Sequence, residues 1–160
     1  MDLETDKRKG LGEQGWEEMT LIGKAAQEDM LDKRLSHLPS NERAALAALV
    51  HRLRQRYGDD LLCVVLFGSK VRGDSDEESD IDVLVVVRMP NDDYWQHRRR
   101  LSAIAGDLDL EYDVILSTLL MDEPEFTEMR RANLLLNRSI QQDGIELWTL
   151  RQSVPTLVSA

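Results

Sequence analysis

The chain has one cysteine, Cys63, among its 160 residues, so no intramolecular disulfide can form. A lone thiol inside an apolar run is expected to be a small buried side chain. No segment approaches the roughly 20 apolar residues of a membrane span, and no apolar N-terminal run resembles a signal peptide. Both absences point to the cytoplasm and away from a membrane. Basic residues are in the minority, 20 Lys and Arg against 30 Asp and Glu, for a net charge of −10. Duplex nucleic acids are held largely by phosphate neutralisation, which excludes a general nucleic-acid binder and leaves a specific tRNA or protein partner open. None of the three histidines, His37, His51 and His97, has a second ligand at metal spacing. There is no internal repeat and no low-complexity tract, and the length suits one domain with a proper core and a small appendage.

What is present centres on Leu61–Val87, LLCVVLFGSKVRGDSDEESDIDVLVVV. Leu61–Phe67 and Ile81–Val87 are short apolar runs bounded by polar residues and glycine, the pattern of strands buried on both faces. Asp80 and Asp82 lie two apart, so in a strand their side chains share a face while Ile81 and Val83 take the other. Two like charges side by side add no stability unless a divalent cation bridges them, and Mg²⁺ takes carboxylate and phosphate oxygens together. Gly68-Ser69, directly after the first strand, offers backbone N–H groups, a hydroxyl and close backbone approach, which are the parts of a phosphate cradle.

Taken in order, residues 1–15 read as a polar, disordered leader, and residues 16–37 as an extra helix with a loose stripe of Trp16, Met19, Ile22, Ala26, Met30 and Leu35. Ser40 is a candidate cap for a helix to Tyr57, with Leu46, Leu49, Val50, Leu53 and Tyr57 inward and Gly58 as its stop. Asn91, Asp92 and Asp93 are candidate caps for a helix to about residue 107, with Tyr94, Leu101, Ile104 and Leu108 inward. Arg98-Arg99-Arg100 on that helix reads as a solvated face.

Leu110–Leu116, LEYDVIL, alternates like a third strand. Asp113 between Tyr112 and Val114 is expensive there without a partner, and Glu111 is in phase with it. Asp122-Glu123-Pro124 starts a helix through about Gln142. Gly144 ends it, Ile145–Leu150 reads as a closing strand, and residues 151–160 are expected to fray.

Apolar strand, Gly68-Ser69, spaced Asp80-Ile81-Asp82 and second strand together resemble the nucleotidyltransferase superfamily related to DNA polymerase beta. Arg72-Gly73 and Ser79 also fit. The spacing looks most like the minimal nucleotidyltransferases, small antitoxin-type members paired with a helical HEPN protein, over roughly residues 38–150. The resemblance implies an α/β (α+β) domain, a small mixed sheet flanked by helices in the polymerase-beta-type fold. It implies that Asp80, Asp82 and Asp113 hold one or two Mg²⁺ ions against ATP or another nucleoside triphosphate, with Asp113 placed to orient or deprotonate the acceptor hydroxyl. Gly68, Ser69 and Lys70 would hold the outer phosphates, with Lys70 and Arg72 either offsetting their charge or simply solvated. The acidic Asp74, Asp76, Glu77 and Glu78 read as a solvated loop. The implied activity is transfer of a nucleoside monophosphate, AMP by family habit, to a hydroxyl of a HEPN-type partner protein. A small-molecule transferase of the aminoglycoside type, or a non-catalytic partner-binding module, are the alternatives.

Overall fold

The computed structural model describes residues 26, 28–73, 76, 78–90 and 93–150. The leader, half of the 16–37 helix, the 151–160 tail, the cap candidates Asn91 and Asp92, and the loop acids Asp74 and Glu77 lie outside them. The described chain forms two units, one ending at Ser36 and one starting at His37. In the first, residues 28–35 are helical.

The second unit opens with α1 (Ser40–Tyr57), which presents Ala45, Leu46, Leu49 and Leu53 inward. Ser40 is its first helical residue rather than its cap: Pro39 holds the cap position and no side chain caps the end. Gly58 stops the helix at φ +53, its N–H returning to the Arg54 carbonyl. The strands β1 (Leu61–Phe67) and β2 (Ile81–Val87) fall on the two apolar runs, almost wholly buried, with the short helix α2 (Ser69–Arg72) between them. Then follow α3 (Tyr94–Tyr112), β3 (Leu116–Asp122), α4 (Glu123–Arg131), α5 (Leu135–Asp143) and β4 (Ile145–Thr149).

The four strands form one mixed sheet in the order β3-β2-β1-β4. β1 runs antiparallel to β2 and β4, and β2 runs parallel to β3. Leu84 and Val86 on one sheet face pack with Phe126 and Met129 of α4 and Ile140 of α5. Val83 and Val85 take the other face by alternation, the side of the sheet left for α1 and α3. The result is a helix–sheet–helix sandwich with helices on both faces of a small mixed sheet, the expected fold class.

Around residue 110 the structure differs from the sequence expectation. The helix expected to end near residue 107 runs on to Tyr112, and the third strand is Leu116–Asp122, not Leu110–Leu116. Leu101, Ala105 and Leu108 carry a helical stripe through the segment. The alternation of Leu110 with its neighbours is incidental, since Leu110 is 88% exposed. Asp113 ends α3 in the left-handed conformation, φ 54 and ψ 55. The Asp109 carboxylate then receives the Leu116 N–H at 2.9 Å and starts β3.

Further on, the single helix expected from Asp122 to Gln142 is two, because Asn133 turns the chain at φ +50. The first of them has a full capping box, Asp122 with Glu125. Arg98 is not simply solvated: it donates to the Thr118 carbonyl at 3.1 Å and ties α3 to β3.

Candidate active site

Antiparallel pairing sets Phe67, the last residue of β1, opposite Asp82, the second residue of β2. The Gly68-Ser69 turn and the Asp80/Asp82 pair therefore meet at one end of the sheet. Gly68 has φ 82 and ψ −158, a conformation open to glycine alone. A β-carbon there would land on the Asp82 carboxylate, its Cγ only 3.1 Å away. The glycine is needed twice over, for its backbone angle and for the space it leaves to the carboxylate. Its carbonyl accepts the N–H of Val71 at 3.2 Å, which closes α2. The opening amides of α2, at Ser69 and Lys70, have no carbonyl one turn back inside the helix.

Asp80 is exposed, and Asp82 is half-buried on the α4/α5 side of the sheet, in phase with Leu84 and Val86. Burial raises the Asp82 pKa above the usual carboxylate range, the Asp80 charge adds to the rise, and Arg72 partly offsets it. A half-buried carboxylate with a second one beside it, next to the Gly68-Ser69 turn, is a donor set suited to a hard cation. Mg²⁺ commonly takes one or two carboxylates and completes its shell with phosphate and water. The residues present therefore fit such an ion.

Asp113 is not brought to this pair. Expected on a strand beside Asp80 and Asp82, it instead caps α3 and lines a cavity with Ile81, Glu42 and Lys70. Ile81 faces opposite to Asp82, so that cavity lies on the α1/α3 side of the sheet. Among the described residues, no three His, Cys, Asp or Glu side chains come together to hold one ion. The strand neighbour of Asp82 is Ser117 of β3. Glu111, the competing acid, pairs with Arg52 at 2.8 Å.

Lys70 also departs from expectation. Its side chain is buried, its ammonium 2.7 Å from Glu42 Oε1 and 3.0 Å from the Asp76 carbonyl. It is a partner of the interior, not a counter-charge facing phosphate. Arg72 is exposed and close enough to Asp82 to lower its pKa.

Glu42 and His37 were missed by the sequence reading. His37 Nε2 lies 2.7 Å from the Lys70 carbonyl. Glu42 did carry a signal, because it sits on the α1 stripe with Leu46, Leu49 and Leu53, where a charge demands a buried partner. Cys63 is buried as expected, its thiol pushed up to about 12 chiefly by that burial.

The sequence profile of the nucleotidyltransferase domain family matches residues 46–146. Two proteins of Methanocaldococcus jannaschii, provisionally named protein adenylyltransferases, are similar to the chain. One is 43% identical over 39% of this chain and 61% of its own length. The other is 31% identical over 68% of this chain and 99% of its own. The chain thus spans less than two thirds of the first relative and essentially all of the second. The crystal structure of the toxin-antitoxin MntA-HepT overlays on 69% of this chain and 74% of that one, at 22% identity and a TM-score of 0.41.

Proposed function

The chain belongs to the nucleotidyltransferase domain family, and on that premise we propose that it moves AMP from ATP to a hydroxyl of a partner protein, in the cytoplasm and with Mg²⁺. The observation that supports this reading is the fit of Gly68 against Asp82, which brings the Gly68-Ser69 turn and the Asp80/Asp82 pair to one end of the sheet. The names of the Methanocaldococcus relatives support a protein acceptor over a small molecule.

Asp80 and Asp82 would hold the ion, which supplies charge stabilisation at the α-phosphate when bound. Gly68 leaves room for the Asp82 carboxylate beside the turn. The Ser69 hydroxyl and the opening amides of α2 donate to the β- and γ-phosphates. Arg72 offsets their charge from the rim. In the reaction the acceptor oxygen bonds to the α-phosphorus, the bond to the pyrophosphate oxygen breaks, and the hydroxyl proton leaves to solvent. The proton-accepting role that the resemblance gave to Asp113 is not retained, because Asp113 lies on the cavity side of the sheet.

A HEPN-type helical protein is the partner class we propose for the acceptor. The position of Ser117 beside Asp82, where a third carboxylate is lacking, favours one second reading: a module that binds nucleotide and partner without transfer. Incubation with ATP, Mg²⁺ and the product of the neighbouring gene, followed by mass spectrometry of both chains, separates the two. One AMP added to the partner, and lost with Asp82→Asn, supports transfer. An unmodified partner that still forms a stable complex supports the second reading.

A further inference from the structure

The buried ion pair between Lys70 and Glu42 is poorly explained as a source of stability. Their side chains are 4% and 8% exposed, and they meet at 2.7 Å. The second Glu42 oxygen, Oε2, is buried with no hydrogen-bond partner. Desolvating two charges and orphaning an acceptor costs more than an apolar pair of similar volume would, and such replacements are often neutral or stabilising. What the pair does have is position. One ammonium joins three separate parts of the chain: α1 through Glu42, α2 through its own backbone, and the loop before β2 through the Asp76 carbonyl.

From Asp76 the connection continues without a gap. The same carbonyl accepts the Ser79 N–H at 3.2 Å, and the Asp76 carboxylate accepts the Ser79 hydroxyl at 2.9 Å and the Glu78 N–H at 3.0 Å. Ser79 is followed directly by Asp80. At the other end, the Lys70 carbonyl is held by His37, next to the Gly68-Ser69 turn. The ammonium of Lys70 therefore fixes the distance between the turn that would hold phosphate and the loop that delivers the two carboxylates.

We propose that Lys70 and Glu42 are positioning residues for the Asp80/Asp82 site, acting through Asp76 and Ser79 rather than by touching nucleotide or metal. This rests on the reading of that site given above. It predicts that removing both charges leaves the fold intact while loosening the site. Single substitutions are a poor test, since each leaves a buried charge unpaired and the chain can simply fail to fold.

The test is the pair Lys70→Met with Glu42→Leu in the full chain, alongside wild type and Lys70→Arg. Three readouts are needed: thermal unfolding, amide hydrogen exchange across residues 68–82, and Mn²⁺ affinity by electron paramagnetic resonance. The expected result is an unfolding temperature at or above wild type, faster exchange at 68–82 only, and Mn²⁺ affinity weaker by about 10- to 100-fold, the range for partners one layer behind a metal. Lys70→Arg, which keeps a donor for both Glu42 and Asp76, is expected to restore part of the affinity. A folded double variant with wild-type exchange at 68–82 and wild-type Mn²⁺ affinity overturns the proposal. Wild type that binds no Mn²⁺ overturns the metal site instead, and the exchange comparison then decides the tie on its own.

Discussion

Gly68 and the Asp82 carboxylate share one space: no side chain fits on the glycine without displacing the acid. Gly73, four residues from the turn's serine, has a similar backbone angle of φ 77 but nothing within 4 Å of an added β-carbon. The two glycines separate backbone strain from site geometry. Gly73→Ala is expected to cost about 1–2 kcal/mol of stability, the left-handed penalty for a residue with a β-carbon, and to leave nucleotide transfer near wild type. Gly68→Ala is expected to fall near the top of about 1–3 kcal/mol and to abolish transfer. Urea unfolding and a labelled-ATP assay on both variants check this; equal activity loss in the two would mean that strain alone is responsible.

Asp82→Asn is expected to remove transfer while leaving stability unchanged or higher. Burial and the Asp80 charge both disfavour ionised Asp82 in the fold, and the neutral amide relieves both. The loss of activity is expected to exceed about 100-fold, the upper end of what a partner merely behind a metal costs. Melting temperature and transfer rate are measured on the same preparation. A variant that melts well below wild type would show that Asp82 is instead held by favourable partners.

The central motif was legible because its signals are local. Leu61–Phe67 and Ile81–Val87 are apolar runs with sharp polar edges, and both strands fall on those bounds. Gly68-Ser69 and Asp80-Ile81-Asp82 stand out by their place at the strand ends, and the antiparallel pairing brings them together. The segment from Leu110 to Leu116 satisfied two periods at once, and only tertiary packing decided between them. Leu108 is buried in the helix while Leu110, two residues on, faces solvent. That one shift moved Asp113 off the sheet. Lys70 was misread for a different reason: its partner Glu42 is 28 residues away, and no pattern in the sequence near Lys70 points to it.

His97 carries a pH dependence of stability. Desolvation lowers its pKa first, with the charges of Arg100 and Arg56 adding to the effect, and its Nδ1 lies 3.1 Å from the Tyr57 hydroxyl. The unfolded chain therefore binds this proton more readily than the fold. The neutral ring's contribution is fully present above the ordinary histidine value of about 6.5 and is lost as pH falls through the lower folded value. Between pH 7.5 and pH 5.5, wild type is expected to lose more melting temperature than His97→Gln. Parallel melting curves against pH for the two proteins would assign the dependence elsewhere.

The location of Asp113 yields the sharpest contrast. Asp80 precedes β2 on the side of Asp82 and Gly68, and its charge reaches Asp82. Asp113 is exposed at the end of α3, its backbone carbonyl 3.3 Å from the Asn41 amide, and it lines the cavity on the other side of the sheet. If the reacting site is the Gly68–Asp82 end, Asp80→Asn is expected to lower transfer by more than about 100-fold. Asp113→Asn is expected to stay within about a factor of three, a barrier change of about 0.65 kcal/mol. Both variants keep the shape of the side chain, so unfolding temperatures are expected to remain close to wild type. Initial rates of AMP transfer at saturating ATP and Mg²⁺, measured side by side, decide it. Equal loss in the two variants would mean that Asp113 reaches the ion in the working complex, which would require the end of α3 to unwind toward β2. Loss in Asp80→Asn alone leaves a site of two carboxylates, with the remaining ligands of the ion supplied by phosphate and water.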